Sequence, residues 1–158
     1  MKTLQSENGF TLIEVLIAMV VLTIGILSLY AMQMSAIRGN SHANRLTEAS
    51  TWNADQVEKI IGLHYSDANL KDTNGDGTNK DLDRDGIDNY GNNFGLDNAT
   101  VATADGNIFT SDGKYTIFWN VAKDVPMPNL KTIRVIVKDN FNILSTPVVF
   151  TYIKDDII

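Results

Sequence analysis

Residues 10–34, FTLIEVLIAMVVLTIGILSLYAMQM, carry a single charge, Glu14. About 20 such apolar residues suffice for a helix to cross a hydrocarbon layer ~30 Å thick. The apolar side chains run all round the helix, the pattern of a span set in lipid or fully enclosed by protein. The rest of a 158-residue chain is too small to enclose it. The stretch therefore needs a membrane, or other chains, around it. A secretory signal peptide would have a shorter apolar run followed by a small-x-small cleavage site. No clean site of that kind follows Met34, and the helical pattern continues past it without a turn signal.

Glu14 is the odd residue in the run. A carboxylate inside a membrane span is costly, and such a residue marks a function. Residues 10–34 hold no Lys, Arg or His to pair with it. A cut just before Phe10 creates the missing cation, as a new α-amino group.

The junction MKTLQSENG followed by Phe10-Thr11-Leu12-Ile13-Glu14-Val15 resembles the class III signal of type IV pilins and pseudopilins. The resemblance implies that a prepilin peptidase in the membrane cuts between Gly9 and Phe10 and methylates the new amino terminus. Glu14 is then the fifth residue of the mature chain, and in assembly it meets the amine of a neighbouring subunit. Residues 20–29, VVLTIGILSL, followed by Ala31-Met32-Gln33, are similar to the PilV-type minor pilins, the type IV pilus modification proteins. The GspI-type pseudopilins of type II secretion are a close second. Ala31 stands where major pilins often carry a proline. Glu7 departs from the family, whose leaders are usually basic, because it cancels Lys2. The resemblance is strong over residues 1–65, weaker over 115–153 and absent between. It implies a single-pass protein of the inner membrane with its head outside the cytoplasm, later part of a pilus, with other pilins as partners.

The chain divides into a leader at 1–9, a transmembrane or filament-core half-helix at 10–34, an amphipathic half-helix at 35–64, an acidic loop region at 65–113 and a sheet at 114–158. No proline interrupts residues 10–63, so one helix of about 54 residues, roughly 80 Å long, is expected. Leu46, Ala49, Trp52, Ile60 and Leu63, widened by Val57 and Ile61, form its apolar stripe. Gly62 marks its end. Three strands follow, at residues 114–122, 131–138 and 147–153. Each is rich in β-branched and aromatic residues with period-two alternation, which predicts a sheet with one covered face. Ile133, Val135 and Val137 share one side, with Thr132, Arg134 and Ile136 on the other. Pro126 and Pro128 predict a loop between the first two strands, and Asn140-Phe141-Asn142 a turn between the last two. The expected fold is α+β: a long helix packed on a small antiparallel sheet, with an irregular acidic loop between. That is also the layout of the pilins it resembles.

The net charge of −6 is unevenly spread: residues 67–112 hold ten acidic and three basic side chains. Within them, residues 72–88 read DTNGDGTNKDLDRDGID, two phased copies of D-x-[DN]-x-D-G. Asp72, Asn74 and Asp76 precede Gly77; Asp81, Asp83 and Asp85 precede Gly86. This is the opening half of an EF-hand calcium loop. Oxygens at alternate positions converge on one point when the chain curls, and the seventh position adds a backbone carbonyl, here Thr78 and Ile87. The glutamate of position twelve is replaced by Asp83 in the first copy and Asn92 in the second, and Asp88 joins the candidate ligands. The pattern is similar to thrombospondin type 3 and dockerin-like repeats, which implies one or two Ca²⁺ ions. Mg²⁺ fits less well, since it favours water and a tight octahedron. The alternative is a solvated loop of turn-forming Asn, Asp and Gly.

The remaining chemistry is sparse. The chain has no cysteine, which excludes disulfides, thiolate metal sites and thiol catalysis. Its acidic balance argues against nucleic-acid binding. There is no phosphate-cradling glycine loop and no paired histidine motif, so no enzymatic activity is expected. His42 and His64 are too far apart on a helix to share a metal. Trp52 reads as core packing. A calcium-dependent adhesin head is a further possibility, resting on Tyr90 and Phe94 beside the acidic loop.

Overall fold

The computed structural model describes residues 9–73, 75 and 94–155. The chain forms two compact units, Met1–Ser41 and His42–Ile158. Helix α1, Leu12–Ile61, supplies most of the first unit and opens the second. It is 50 residues long, two residues shorter at each end than the sequence pattern implies.

In the first unit the helix buries almost nothing. Its large apolar side chains from Leu12 to Met32 are 45–80% exposed. An 18-residue window there is long and apolar enough to cross a membrane, and none of it is covered by the rest of the chain. Thr23 and Ser28 turn their hydroxyls back onto the carbonyls of Met19 and Ile24, at 2.7 and 2.8 Å. Both polar groups are thereby satisfied within the helix, as an apolar surround requires.

In the second unit, residues 42–61 of α1 lie on a four-stranded antiparallel sheet. Its strands are β1 (Gly106–Phe109), β2 (Tyr115–Lys123), β3 (Leu130–Asp139) and β4 (Val148–Asp155), in the spatial order β1-β2-β3-β4. β2 and β3 pair from Tyr115 opposite Asp139 to Lys123 opposite Lys131, and β3 pairs with β4 from Leu130 opposite Asp155 to Val137 opposite Val148. Strand β1 was not among the expected strands. It is four residues long and begins at a glycine, so it carries almost no pattern of its own. The β1–β2 turn does carry a signal, Asp112-Gly113, with Gly113 at φ +68°. Thr110 Oγ1 and the Lys114 N–H both donate to Asp112 Oδ1, at 2.7 and 3.1 Å.

The core under the helix combines Ala49 and Ile60 of α1 with Leu70, Tyr115, Ile117, Val121, Ile133, Val135, Val137 and Leu144. Trp52, Val57 and Leu63 pack against it, while Leu46 and Ile61 of the expected stripe stay exposed. The helix instead buries two polar residues, Asn53 and Gln56. Asn53 Nδ2 donates to the carbonyls of Val135 and Val148, at 3.2 and 2.9 Å, and so ties the helix to two strands at once.

The sheet is covered on both faces, not one. Phe118, Asn120, Ala122 and Ile136, on the side away from the helix, are buried as well. Asn120 Nδ2 donates to the carbonyls of Leu96 and Asn98, at 3.2 and 2.8 Å, which draws residues 96–98 over that face. The end of α1 is closed by lysines from the sheet. Lys154 Nζ donates to the Ile61 carbonyl at 2.9 Å, and Lys131 Nζ to those of Tyr65 and Leu70, at 2.6 and 2.7 Å. These contacts satisfy carbonyls that a helix end and the turn after it leave without partners.

Candidate functional site

Gly9, Phe10 and Thr11 precede the helix and are exposed, with Phe10 at 83%. Thr11 is the N-cap: its Oγ1 accepts the Glu14 N–H at 3.3 Å. The spacing T-x-x-E is that of a capping box, in which the threonine satisfies the N–H of the third helical residue. The T-x-x-E spacing of Thr11–Glu14 is the sequence signal for this cap. The cap fixes where the helix starts, and hence where Glu14 sits relative to Phe10. Phe10, Glu14, Val15, Ala18, Met19 and Leu22 line a shallow groove of about 330 Å³ along one side of the helix. The small side chain of Ala18 leaves room in its middle. The Glu14 carboxylate therefore lies beside an apolar depression, and no hydrogen bond or ion pair holds it among the described residues.

Among the described residues, the start of the acidic segment is held to the sheet by a clasp at Asp105. Asp105, the residue before β1, accepts the Thr73 N–H at 2.6 Å and the Thr73 hydroxyl at 3.1 Å on Oδ1, and the Val121 N–H at 2.7 Å on Oδ2. Its own N–H donates to Asn120 Oδ1 at 3.3 Å. Burial pushes the Asp105 carboxyl above the usual carboxylate range, against the lowering effect of those hydrogen bonds, and the charge of Asp72 adds to the rise. Asp72 Oδ1 accepts the Gly75 N–H at 2.7 Å, and Gly75 takes φ +86°. The first candidate ligand thus already curls the chain at the point where the first acidic copy starts. No motif points to Asp105, which lies 33 residues beyond Asp72.

Of the candidate calcium ligands only Asp72 is among the described residues. Asn74, Asp76, Thr78, Asp81, Asp83, Asp85, Ile87 and Asp88 lie outside them, as does Tyr90. Among the described residues no three His, Cys, Asp or Glu side chains gather as a metal site would require. Phe94 is half-buried at φ +55°, and His42 and His64 are exposed.

A second polar cluster joins the helix to the turns of the sheet. The Tyr115 hydroxyl lies 2.9 Å from Glu48 Oε2 and 3.2 Å from the Arg45 carbonyl. Lys114 Nζ lies 3.0 Å from both Glu48 and Asp112. The Arg45 guanidinium sits over the rings of Tyr115 and Phe141, at 5.7 and 5.5 Å. The Thr110 hydroxyl, then the Lys114 N–H and ammonium, hold the Asp112 carboxyl down at about 2. Asp139 is buried within its turn. Burial works against its charge, but the N–H groups of Phe141, Leu144 and Ile143 and the Arg45 charge outweigh it and leave the carboxyl below its ordinary value. This cluster is structural: its hydrogen bonds, ion pairs and ring contacts join α1 to the turns of the sheet.

Residues 4–30 match the prokaryotic N-terminal methylation motif, the prepilin-type signal. The match supports a type IV pilin-like protein, pilin or pseudopilin, processed by a prepilin peptidase and assembled with other pilins. Together with the uncovered apolar helix it is consistent with anchoring in the inner membrane before assembly. No curated protein and no solved structure matches the chain.

Proposed function

We propose that this chain is a minor pilin of a type IV pilus, with a role in assembly and binding rather than catalysis. One observation carries the reading. An unpaired Glu14 carboxylate stands one helical turn from Phe10, beside an apolar groove, in a helix whose apolar surface the chain itself leaves uncovered. Cleavage after Gly9 turns Phe10 into the bearer of an α-ammonium. Within hydrocarbon, Glu14 is costly until it meets such a cation. A neighbouring subunit's amino terminus supplies one, while apolar packing along Phe10, Ala18 and Leu22 supplies the contact area. The pair then acts as a register: a helix that enters too deep or too shallow leaves both charges unpaired. Ala31, where major pilins often carry proline, favours a minor subunit of the PilV type.

Glu14→Ala should leave cleavage and membrane insertion intact and reduce recovery of the subunit in sheared filaments about tenfold or more, the scale of one lost buried pair. Normal recovery contradicts the pairing. Co-purification with secretion rather than pilus components would move the same architecture to a type II pseudopilin.

The head is also proposed to be stabilised by Ca²⁺ held by the two acidic copies, with Asp72, Asn74, Asp76 and the Thr78 carbonyl in the first, Asp81, Asp83, Asp85 and the Ile87 carbonyl in the second, Asp83 bridging two ions or serving one site, and Asp88 a further candidate. The support is the phasing of the copies, the curl at Asp72, and the Asp105 clasp that ties the start of the segment to β2. With no cysteine to staple the loop, bound metal would supply folding energy in its place. Extracellular modules bind Ca²⁺ at ~10⁻⁴–10⁻³ M. A tenfold excess over Kd then stabilises the head by about 1.4 kcal/mol. Chelation should lower the melting temperature and added Ca²⁺ restore it. An unchanged melt, with no heat of binding at millimolar Ca²⁺, removes the metal from the account.

A further inference from the structure

Gln56 is out of keeping with its surroundings. It lies on the helix face that meets the sheet, between Asn53 and Ile60, and is only 8% exposed. Unlike Asn53, it makes no hydrogen bond among the described residues. An amide in such a place would cost roughly 1–3 kcal/mol if it were both unpaired and cut off from solvent. It is not cut off: the fully buried unpaired polar atoms include Asn53 Oδ1 but neither atom of the Gln56 amide, which stays open to water or to a ligand. Its opening is a groove of about 210 Å³ that Gln56 lines with Lys59, Ile60, Leu63, Asn69 and Trp119.

The rest of the groove is built for a flat ligand. Trp119 is fixed at two points. Its Nε1–H donates to the Asn69 carbonyl at 3.0 Å, and one face of its ring lies so close over Gly106 that a Cβ there would fall within the indole. The ring is only partly buried against the core and forms one wall of the groove. Ile60 and Leu63 add apolar wall. The one nearby cation, Lys59, is already paired with Asp55 at 2.6 Å, so the groove presents no unpaired charge among its described residues.

We infer that this groove binds a single neutral sugar ring, its C–H face on Trp119 and a hydroxyl on the Gln56 amide. The chemistry selects the occupant. A purely apolar side chain would cover the Gln56 amide and leave it unpaired. An anionic or cationic ligand would meet no countercharge. A pyranose offers an apolar C–H face for the indole and, at its rim, hydroxyls that both donate to and accept from an amide. Fixed aromatic walls with a few placed polar groups are the usual make-up of small-molecule sites. The site lies wholly within the unit His42–Ile158 and does not depend on the pilin assignment or on Ca²⁺.

The test uses the full chain in a detergent without sugar headgroups, with ¹⁵N-labelled indoles. The chain has two tryptophans, and Trp52→Phe assigns their signals. Methyl glycosides of neutral hexoses and N-acetylhexosamines are the probes. The expected result is a saturable shift of the Trp119 indole signal in the millimolar range with at least one of them, while Trp52 stays still. Gln56→Leu should keep the fold, melt no lower than the parent, and bind that sugar about tenfold more weakly, the effect of one hydrogen bond. If Gln56→Leu does not fold, Gln56→Met keeps the unbranched length and serves instead. No saturable Trp119 shift with any neutral sugar overturns the inference, as does undiminished binding by the Gln56 variant. Saturation by proline- or aromatic-rich peptides in place of sugars also overturns it, and makes the groove a protein-docking site.

Discussion

From Leu12 to Met32 the helix exposes a nearly unbroken apolar surface. In the head, from His42 onward, Asn53, Asn120, Lys131, Asp139 and Lys154 are buried among aliphatic residues. Each of those polar side chains bonds to main chain: Asn53 and Asn120 to strand and loop carbonyls, the lysines to carbonyls at and just after the helix end, Asp139 to the N–H groups of its own turn. These buried side chains of the head find main-chain partners within it, so its fold rests largely on its own contacts. The first half of the helix leaves its apolar needs unmet, so what surrounds it must come from outside. The two halves of one helix therefore answer to different solvents, water and a packed sheet for one, lipid or other helices for the other.

The comparison breaks first at core substitutions. Ile133→Ala, at a fully buried position of β3, should destabilise the head by about 2–5 kcal/mol in thermal or denaturant unfolding. Leu22→Ala, at a helix position 63% exposed, should leave the same transition in place. A matching loss from Leu22→Ala would mean that this apolar surface contributes to the stability of the head. Asn53→Ala comes next, at roughly 2 kcal/mol, because it strips a shared donor from Val135 and Val148 and leaves a void in the interface. A negligible loss would mean that the polar residue at the centre of the helix–sheet contact is not what joins them.

The smallest effect is the dependence on pH. Asp112 and Asp139 have depressed carboxyls, so the stability they contribute is complete above the ordinary carboxylate range and is lost as pH falls toward about 2, where Asp112 titrates. Asp105 is raised, so its sign is opposite: the charged form is disfavoured in the fold, and its contribution declines as pH rises through its folded value. Asp139→Asn should therefore flatten the acid limb of a melting-temperature profile, and Asp105→Asn should leave that limb as steep or steeper. An acid limb unchanged in Asp139→Asn would show that the turn does not depend on the carboxylate charge.

Much of this architecture was legible in the letters. The apolar run, the long helix and three of the four strands among the described residues are all strong local patterns. What was not legible depends on partners far off in sequence. β1 has its place because Gly106 lets the Trp119 ring lie across it, and neither residue announces the other. Asn53 and Gln56 fall on the buried helix face, but a count of apolar letters passes over them. The polar alternation of β2 and β3, with Thr116, Asn120 and Thr132, reads as a wet face. It is buried because Asn120 holds the Leu96 and Asn98 carbonyls over it. At the amino terminus the reverse holds. The candidate site is compact, Gly9 to Glu14, so a local motif captures nearly all of it apart from the groove that Ala18 opens.

The most direct measurement is the mass and sequence of the amino-terminal peptide of the protein recovered from membranes of its native host. The account predicts a chain that begins at Phe10 with one methyl group on its α-nitrogen, and a Gly9→Val variant that keeps residues 1–9. A mature chain that retains those residues, or that is cut elsewhere, would contradict it, because Glu14 would then have no amine at the depth where the helix places it.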